Sequence, residues 1–197
     1  MMLISALSEI DDLLEGCRAV ATSKPTAGEG FYEIKRQQFR FPDGIIQPRE
    51  YIDKKHASVV APVTSEGNFV FVIQPVSLSR EGSLIEFPAG YLEIQEDGVE
   101  AGKRELAEET GYTTSKTLIH TGFHYQDPGS IRQTVDTYVA IDCQKTQSQK
   151  LDRGEYVKYI EVPLDIVDQM ISHNYFKDAN TFIALFKALR ILDHRAV

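Results

Sequence analysis

The sequence predicts an α+β fold with a mixed β-sheet, on three observations. Strand-like runs rich in Val, Ile and Phe fill residues 31–76, the apolar period becomes helical at 98–110, and strands and helices then follow one another to residue 193. Grouped strands with interposed helices imply a sheet covered by helices rather than an all-helical or all-strand domain. A chain of 197 residues, 42% apolar and 25% charged, is an ordinary globular composition. It can bury a full core without disulfide or structural-metal staples.

Each element has its own signal. Residues 2–20 place Leu3, Ile4, Leu7, Ile10, Leu13 and Leu14 at helical spacing with acidic residues between, which predicts an amphipathic helix whose stripe serves core or dimer packing. Residues 21–30 read as a linker. Segments 31–41 and 45–53 flank Pro42-Asp43-Gly44 as a hairpin, and 57–64 and 68–76 flank Ser65-Glu66-Gly67 as a second pair. A short strand from Leu84 to Phe87 runs into Pro88-Ala89-Gly90. Val99, Gly102 and Leu106 give the helix at 98–110 a core-facing stripe. Strands are expected at about 116–125, 132–143 and 155–161, and helices at about 163–173 and 179–193, the last capped by Asp178. The division expected is an N-terminal helix with a small β-subdomain over 1–56 and a main domain over 57–197.

Composition narrows the function. Cys17 and Cys143 show no CxxC spacing and read as incidental thiols of a reducing compartment. The N-terminus carries Glu9, Asp11, Asp12 and Glu15 where a signal peptide would be basic and then apolar. No apolar run reaches the ~20 residues a membrane span needs, so a cytoplasmic protein is expected. A net charge of −8 and a pI of about 5.1 argue against a nucleic-acid backbone binder. An acidic protein can still take an anionic substrate if a bound cation turns a carboxylate cluster into an anion site.

Such a cluster lies in Gly90–Tyr112. Glu105, Glu108 and Glu109 fall three and four residues apart and share one helix face. Arg104 precedes Glu108 by four residues and can pair with it, and Glu96 in the preceding loop can fold over the same face. Crowded carboxylates repel unless a cation sits among them. Their hard oxygen donors select Mg²⁺, with Mn²⁺ as a substitute, over Zn²⁺. Gly111 suits a left-handed helix end. Gly90 suits a sharp turn that would let the carbonyl of Ala89 reach the metal.

The whole spacing resembles the Nudix box, here Gly90, Glu96, Arg104, Glu105, Leu106, Glu108, Glu109, Gly111 and Tyr112, with Tyr112 an aromatic where an aliphatic is commoner. A chance match has odds on the order of 10⁻⁷ from ordinary residue frequencies. The resemblance implies an α/β/α sandwich in which the box forms loop–helix–loop, with a small N-terminal β extension. It implies Glu105 and Glu109 as main metal ligands, Glu108 as a further ligand or outer catalytic group oriented by Arg104, and Glu96 as an accessory group.

Outside the box, about residues 31–193 resemble the ADP-ribose/ADP-sugar pyrophosphatase branch. Glu86-Phe87-Pro88-Ala89-Gly90 is similar to that branch's Glu-hydrophobic-Pro-Ala-Gly. Pro128, followed by Gly129, lies sixteen residues after Tyr112. Gly154-Glu155-Tyr156-Val157 through Glu161-Val162-Pro163 is similar to its later loop and strand, which implies Glu155 as general base with Asp152 as a neighbour that could serve instead. Asp178-Ala179-Asn180-Thr181 is similar to its last helix start. The strands before residue 57 fit a β-domain exchanged in a homodimer. Two departures stand out. Gln74-Pro75-Val76 replaces the branch's Gln-Tyr-Arg, leaving Arg80 as the candidate substitute cation, and His56-Ala57-Ser58 replaces His-Pro-Gly. Glu161 is expected at a strand edge on the surface, and His120 and His124 as strand or core histidines.

The implied reaction is Mg²⁺-dependent hydrolysis of a small nucleoside diphosphate sugar, ADP-ribose first, with substrate contacts at Gln74, Arg80, Pro128 and Gly129. Alternatives are GDP-mannose or another nucleotide sugar, and a non-catalytic ligand sensor on the same scaffold. A sensor would be expected to lose box carboxylates and to carry an effector module, for which the residues after 161 leave no room.

Overall fold

Alternation along three central strands sorts the apolar side chains into two cores, one on each face of a mixed sheet. The computed structural model describes residues 4–11, 13–14, 33–76 and 78–195. Its strands are β1 (Glu33–Arg40), β2 (Ile46–Asp53), β3 (Ala57–Thr64), β4 (Phe69–Pro75), β5 (Ser83–Glu86), β6 (Ala89–Tyr91), β7 (Tyr112–Thr113), β8 (Ile119–His124), β9 (Ile131–Arg132), β10 (Val135–Lys145) and β11 (Lys158–Val162). Its helices are α1 (Leu7–Asp11), α2 (Gly98–Thr110), α3 (Leu164–Ser172) and α4 (Ala179–Arg195).

Among the described residues, an eight-stranded sheet runs β11-β4-β3-β10-β7, with β5 on β4, β6 on β3 and β8 on β10. The β3–β10 pair is parallel and its other pairs are antiparallel. Val59, Ala61, Val63, Phe69, Phe71, Ile73, Val135 and Val139 join one core with Ile166, Val167 and Met170 of α3 and Ala184, Leu185 and Ala188 of α4. Val60, Val70, Tyr138 and Ala140 join the other with Leu106 of α2. A period-2 split of this kind is what a sheet covered on both faces requires. The α+β reading and the α/β/α sandwich hold.

A separate three-stranded sheet, β1-β2-β9, forms the small N-terminal β extension. The hairpin turns where expected: Asp43 Oδ1 accepts the Ile45 N–H at 2.9 Å, and Gly44 takes φ +83°. Little of it is covered, with Ile34 73% and Ile46 51% exposed.

Several boundaries differ from expectation. The helix expected at 2–20 is present as Leu7–Asp11, and residues 4–6 precede it without helical structure. Its remaining stretch at 15–20, Cys17 and the linker at 21–30 lie outside the described residues. Ile4 and Ile10 are fully buried in the α3–α4 core, and Ile4 N–H donates to Glu161 O at 2.9 Å. The strand expected from 155 starts at Lys158, because Asp152 and Glu155 close a loop before it. Strands β6, β7 and β9 are too short to carry a period and were not expected. Among the described residues no helix is long and apolar enough to cross a membrane.

Candidate active site

Helix α2 is defined at both ends by its own sequence. Asp97 caps it in a full capping box with Glu100. Gly111 ends it at φ +71°, where a β-carbon would stand 2.1 Å from Gln147 O. Gly102 lets the helix lie against β3, since a β-carbon there would meet Val60 at 2.8 Å and Ser58 Oγ at 2.9 Å. These contacts set the face from which the glutamates project.

Arg104 is the hub of that face. Its Nε donates to Glu96 Oε1 at 2.8 Å and one terminal nitrogen to Glu96 Oε2 at 2.9 Å, a two-point fork. The other terminal nitrogen donates to Glu105 Oε1 at 2.7 Å and Glu108 Oε2 at 3.2 Å. Glu96 is thus brought from its loop onto the helix, and the Arg104 guanidinium beside it holds its carboxyl below the usual carboxylate range. A carboxylate cluster closed around a cation was expected from spacing alone. Among the described residues no three acidic, His or Cys side chains stand at metal-ligating spacing, and Arg104 instead bridges Glu105 and Glu108.

Glu109 lies deeper. The β3–β6 ladder pairs Ser58 with Gly90, and its flanking bonds run Val60 N–H to Pro88 O and Leu92 N–H to His56 O, each 3.0 Å. Ala89 and Tyr91 therefore turn their N–H and C=O groups off the ladder. The Ala89 N–H reaches Glu109 Oε2 at 3.2 Å, and the Tyr91 carbonyl accepts from Arg104 at 3.1 Å. Glu109 is 6% exposed. Burial first, then the nearby charge of Glu105, pushes its carboxyl up to about 9, against the Ala89 amide, which lowers it. Burial also raises Glu105, partly offset by Arg104. A buried and a partly buried carboxylate with hard oxygen donors, the deeper one held by a single amide bond, form a donor set that a hard divalent cation satisfies.

The reason expected for Gly90 needs correction. Gly90 lies within β6 and has no left-handed backbone angle. Glycine there leaves room for Glu105, since a β-carbon would stand 1.8 Å from Glu105 Oε1 and displace that carboxylate.

The remaining expected residues divide. Glu155 sits in an exposed loop and accepts the Asp152 N–H at 2.9 Å, yet its charge raises both Glu105 and Glu109. Gln74 is committed to Glu86 Oε2 at 2.5 Å. Arg80 is exposed in the β4–β5 turn. Pro128 and Gly129 line a different cavity of about 690 Å³, against Phe39, Arg40, Arg49 and Tyr51 of the β1–β2 hairpin. Asp178 caps α4 as expected, accepting the Thr181 N–H at 2.7 Å, and the Thr181 hydroxyl accepts the Phe87 N–H at 3.0 Å. His120 pairs with Asp136 at 3.0 Å and His124 with Asn180 at 2.8 Å. Glu161 is not a surface residue: at 8% exposure it accepts from the Tyr112 hydroxyl and from Asn68, because the edge strand β11 turns it inward beneath Tyr112.

Glu86, which opens the Glu86-Phe87-Pro88-Ala89-Gly90 run, belongs to the same electrostatic cluster. Burial pushes its carboxyl up to about 6, opposed by Gln74 and reinforced by Asp178, and its charge in turn raises Glu109. Its place four residues before Gly90 was the only available signal.

Comparison with known proteins agrees with this geometry. The NUDIX domain family profile matches residues 54–184. The ADP-ribose pyrophosphatase of Bacillus subtilis (strain 168) is 32% identical over 150 residues, spanning 76% of this chain and 80% of that protein. The methanol dehydrogenase activator of Bacillus methanolicus is 34% identical over 154 residues, 78% of this chain and 82% of that protein. A crystal structure of an ADP compounds hydrolase shares the fold with a TM-score of 0.72 at 20% identity, covering 87% of this chain and 92% of that one. The chain belongs to the Nudix hydrolase family and is similar, within it, to the ADP-ribose pyrophosphatases.

Proposed function

We propose that this protein hydrolyses the diphosphate bond of a nucleoside diphosphate sugar, ADP-ribose foremost, to AMP and ribose 5-phosphate, with Mg²⁺ held by Glu105 and Glu109. The carrying observation is Glu109: a carboxylate 6% exposed, beside Glu105, with a proton affinity raised to about 9. A bound cation relieves that burial and repulsion together. The similarity to an ADP-ribose pyrophosphatase over most of both chains supports the substrate class.

Within this reading each group has a task. Glu105 and Glu109 supply carboxylate oxygens, the Ala89 carbonyl turns off its ladder on the same side as the amide that meets Glu109, and Glu108 is the further ligand. Arg104 and Glu96 orient Glu105 and Glu108. Bound there, Mg²⁺ neutralises diphosphate charge and acidifies water, and Mn²⁺ substitutes for it. Glu155 is the candidate general base, since its charge is felt at both ligands. It must first release the Asp152 amide. Gln74, Arg80, Pro128 and Gly129 are the candidate substrate contacts. The uncovered β1–β2 hairpin supports a homodimer in which it is buried, with 1–56 and 57–197 as the functional division. A reducing, cytoplasmic setting fits the buried free Cys143.

The test is phosphate release by a coupled phosphatase with Mg²⁺ and ADP-ribose, ADP-glucose, GDP-mannose, NADH and diadenosine polyphosphates. Preference for ADP-ribose is expected. Preference for GDP-mannose or another sugar keeps the chemistry and moves specificity to the Gln74–Arg80 departure. Silence with both Mg²⁺ and Mn²⁺ favours the non-catalytic sensor.

A further inference from the structure

A helix leaves its last carbonyls without intrahelical partners, and in α2 those carbonyls belong to the residues that carry the site. One segment, residues 145–150, meets them in turn. Lys145 Nζ donates to Thr110 O at 2.5 Å, Gln149 Nε2 to Glu109 O at 2.5 Å, and the Lys150 N–H to Glu108 O at 2.8 Å. Gly111 O accepts the N–H groups of Thr146 and Gln147 at 3.1 and 3.2 Å.

Gln149 does more than cap. The same Nε2 donates to Val157 O at 3.0 Å, two residues past Glu155. The loop between Lys150 and Val157 is closed on itself by reciprocal Asp152–Glu155 bonds of 2.9 and 3.1 Å. Both of its ends are therefore tied to consecutive carbonyls of α2, at Glu108 through Lys150 and at Glu109 through Gln149.

We propose that Gln149 is a positioning residue, whose side-chain amide fixes the separation between the glutamate face of α2 and the loop bearing Glu155. The amide carries two N–H donors, and here they bridge one carbonyl on each element. The β11–β4 ladder, which begins at Lys158, anchors the strand that follows Val157, while the Asp152–Glu155 bonds lie wholly inside the loop, so the Gln149 bridge is what ties that end of the loop to α2. For its catalytic readout this rests on the diphosphatase reading. For its structural readout it does not.

The test uses Gln149→Met, which keeps length and removes both donors. With the nucleotide sugar turned over by the wild-type protein, kcat is expected to fall at least tenfold, since displacement of a reacting group by about 1 Å costs up to 10²-fold. KM and the Mg²⁺ concentration for half-activation should stay within about twofold, because Glu105 and Glu109 remain on the helix. Amide hydrogen exchange should rise across residues 151–157. An unchanged kcat in active protein, or unchanged exchange in that loop, overturns the proposal. A purely structural role would lower the melting temperature and leave kcat alone. Should the wild-type protein hydrolyse nothing, the diphosphatase reading fails while exchange still decides this one. Should Gln149→Met not fold, native-state exchange of the wild-type protein decides it: the last turn of α2 and the loop opening together supports the bridge, and independent opening of the loop refutes it.

Discussion

Glu105 Oε1 occupies space 1.8 Å from where a β-carbon on Gly90 would stand, so strand β6 and helix α2 touch through a glycine and a carboxylate. No rotation of the backbone at Gly90 is involved. The close approach brings the off-ladder edge of Ala89 to Glu109 and keeps Glu105 beside it.

Gly90→Ala should therefore act through Glu105. The added methyl must push the carboxylate aside, and because that carboxylate is the free end of a flexible side chain, the loss falls on its aim rather than on stability. We expect turnover to fall by about 10²-fold, with a weaker response to Mg²⁺ titration. Wild-type turnover in the folded variant would show that the contact is incidental.

Glu109→Gln separates charge from shape. Turnover should fall by several orders of magnitude, about what loss of a central electrostatic group costs. Without divalent cation and near pH 8, the melting temperature should rise by a few degrees, because folding no longer has to load a proton onto a carboxyl that the unfolded chain leaves ionised at that pH. A variant that is both active with Mg²⁺ and folded would remove Glu109 from the metal site.

The same burial dictates a pH dependence. Glu109 binds its proton more tightly folded, up to about 9, than unfolded, near 4.5. The folded state thus holds more protons through that window, and stability of the cation-free protein falls as pH rises across it. Cation binding needs the carboxylate, so its stabilising effect grows over the same range. Differential scanning calorimetry should find a larger Mg²⁺-induced rise in melting temperature at about pH 8 than at about pH 6. The reverse order would contradict a cation on Glu109.

Arg104→Lys tests the hub. A lysine is a point charge and cannot span Glu96, Glu105, Glu108 and the Tyr91 carbonyl at once. We expect kcat to drop at least tenfold while the melting temperature changes by only a few degrees. Full activity would reduce Arg104 to a surface ion-pair partner.

The residues on α2 were legible from spacing because helical geometry is local. A 3.6-residue period puts Glu105 and Glu109 on one face, Gly111 ends the helix by its own backbone preference, and Pro42-Asp43-Gly44 turns a hairpin without help from elsewhere. The near-continuous apolar runs of β3 and β4 likewise marked well-buried strands, since a strand covered on both faces has no polar side. Sequence by itself determined these.

Tertiary structure decided which distant groups meet them. Whether Ala89 turns its amide toward Glu109 depends on a ladder register between β3 and β6, shared by residues about thirty apart in sequence. Glu161 is buried because Tyr112, 49 residues away, covers it, and Gln149 reaches Glu109 only because β10 runs beside the end of α2. Pro128 and Gly129 face the N-terminal hairpin because β9 pairs with β2. Each depends on a contact whose energy comes from packing over long sequence separations. Local spacing carries no record of that packing.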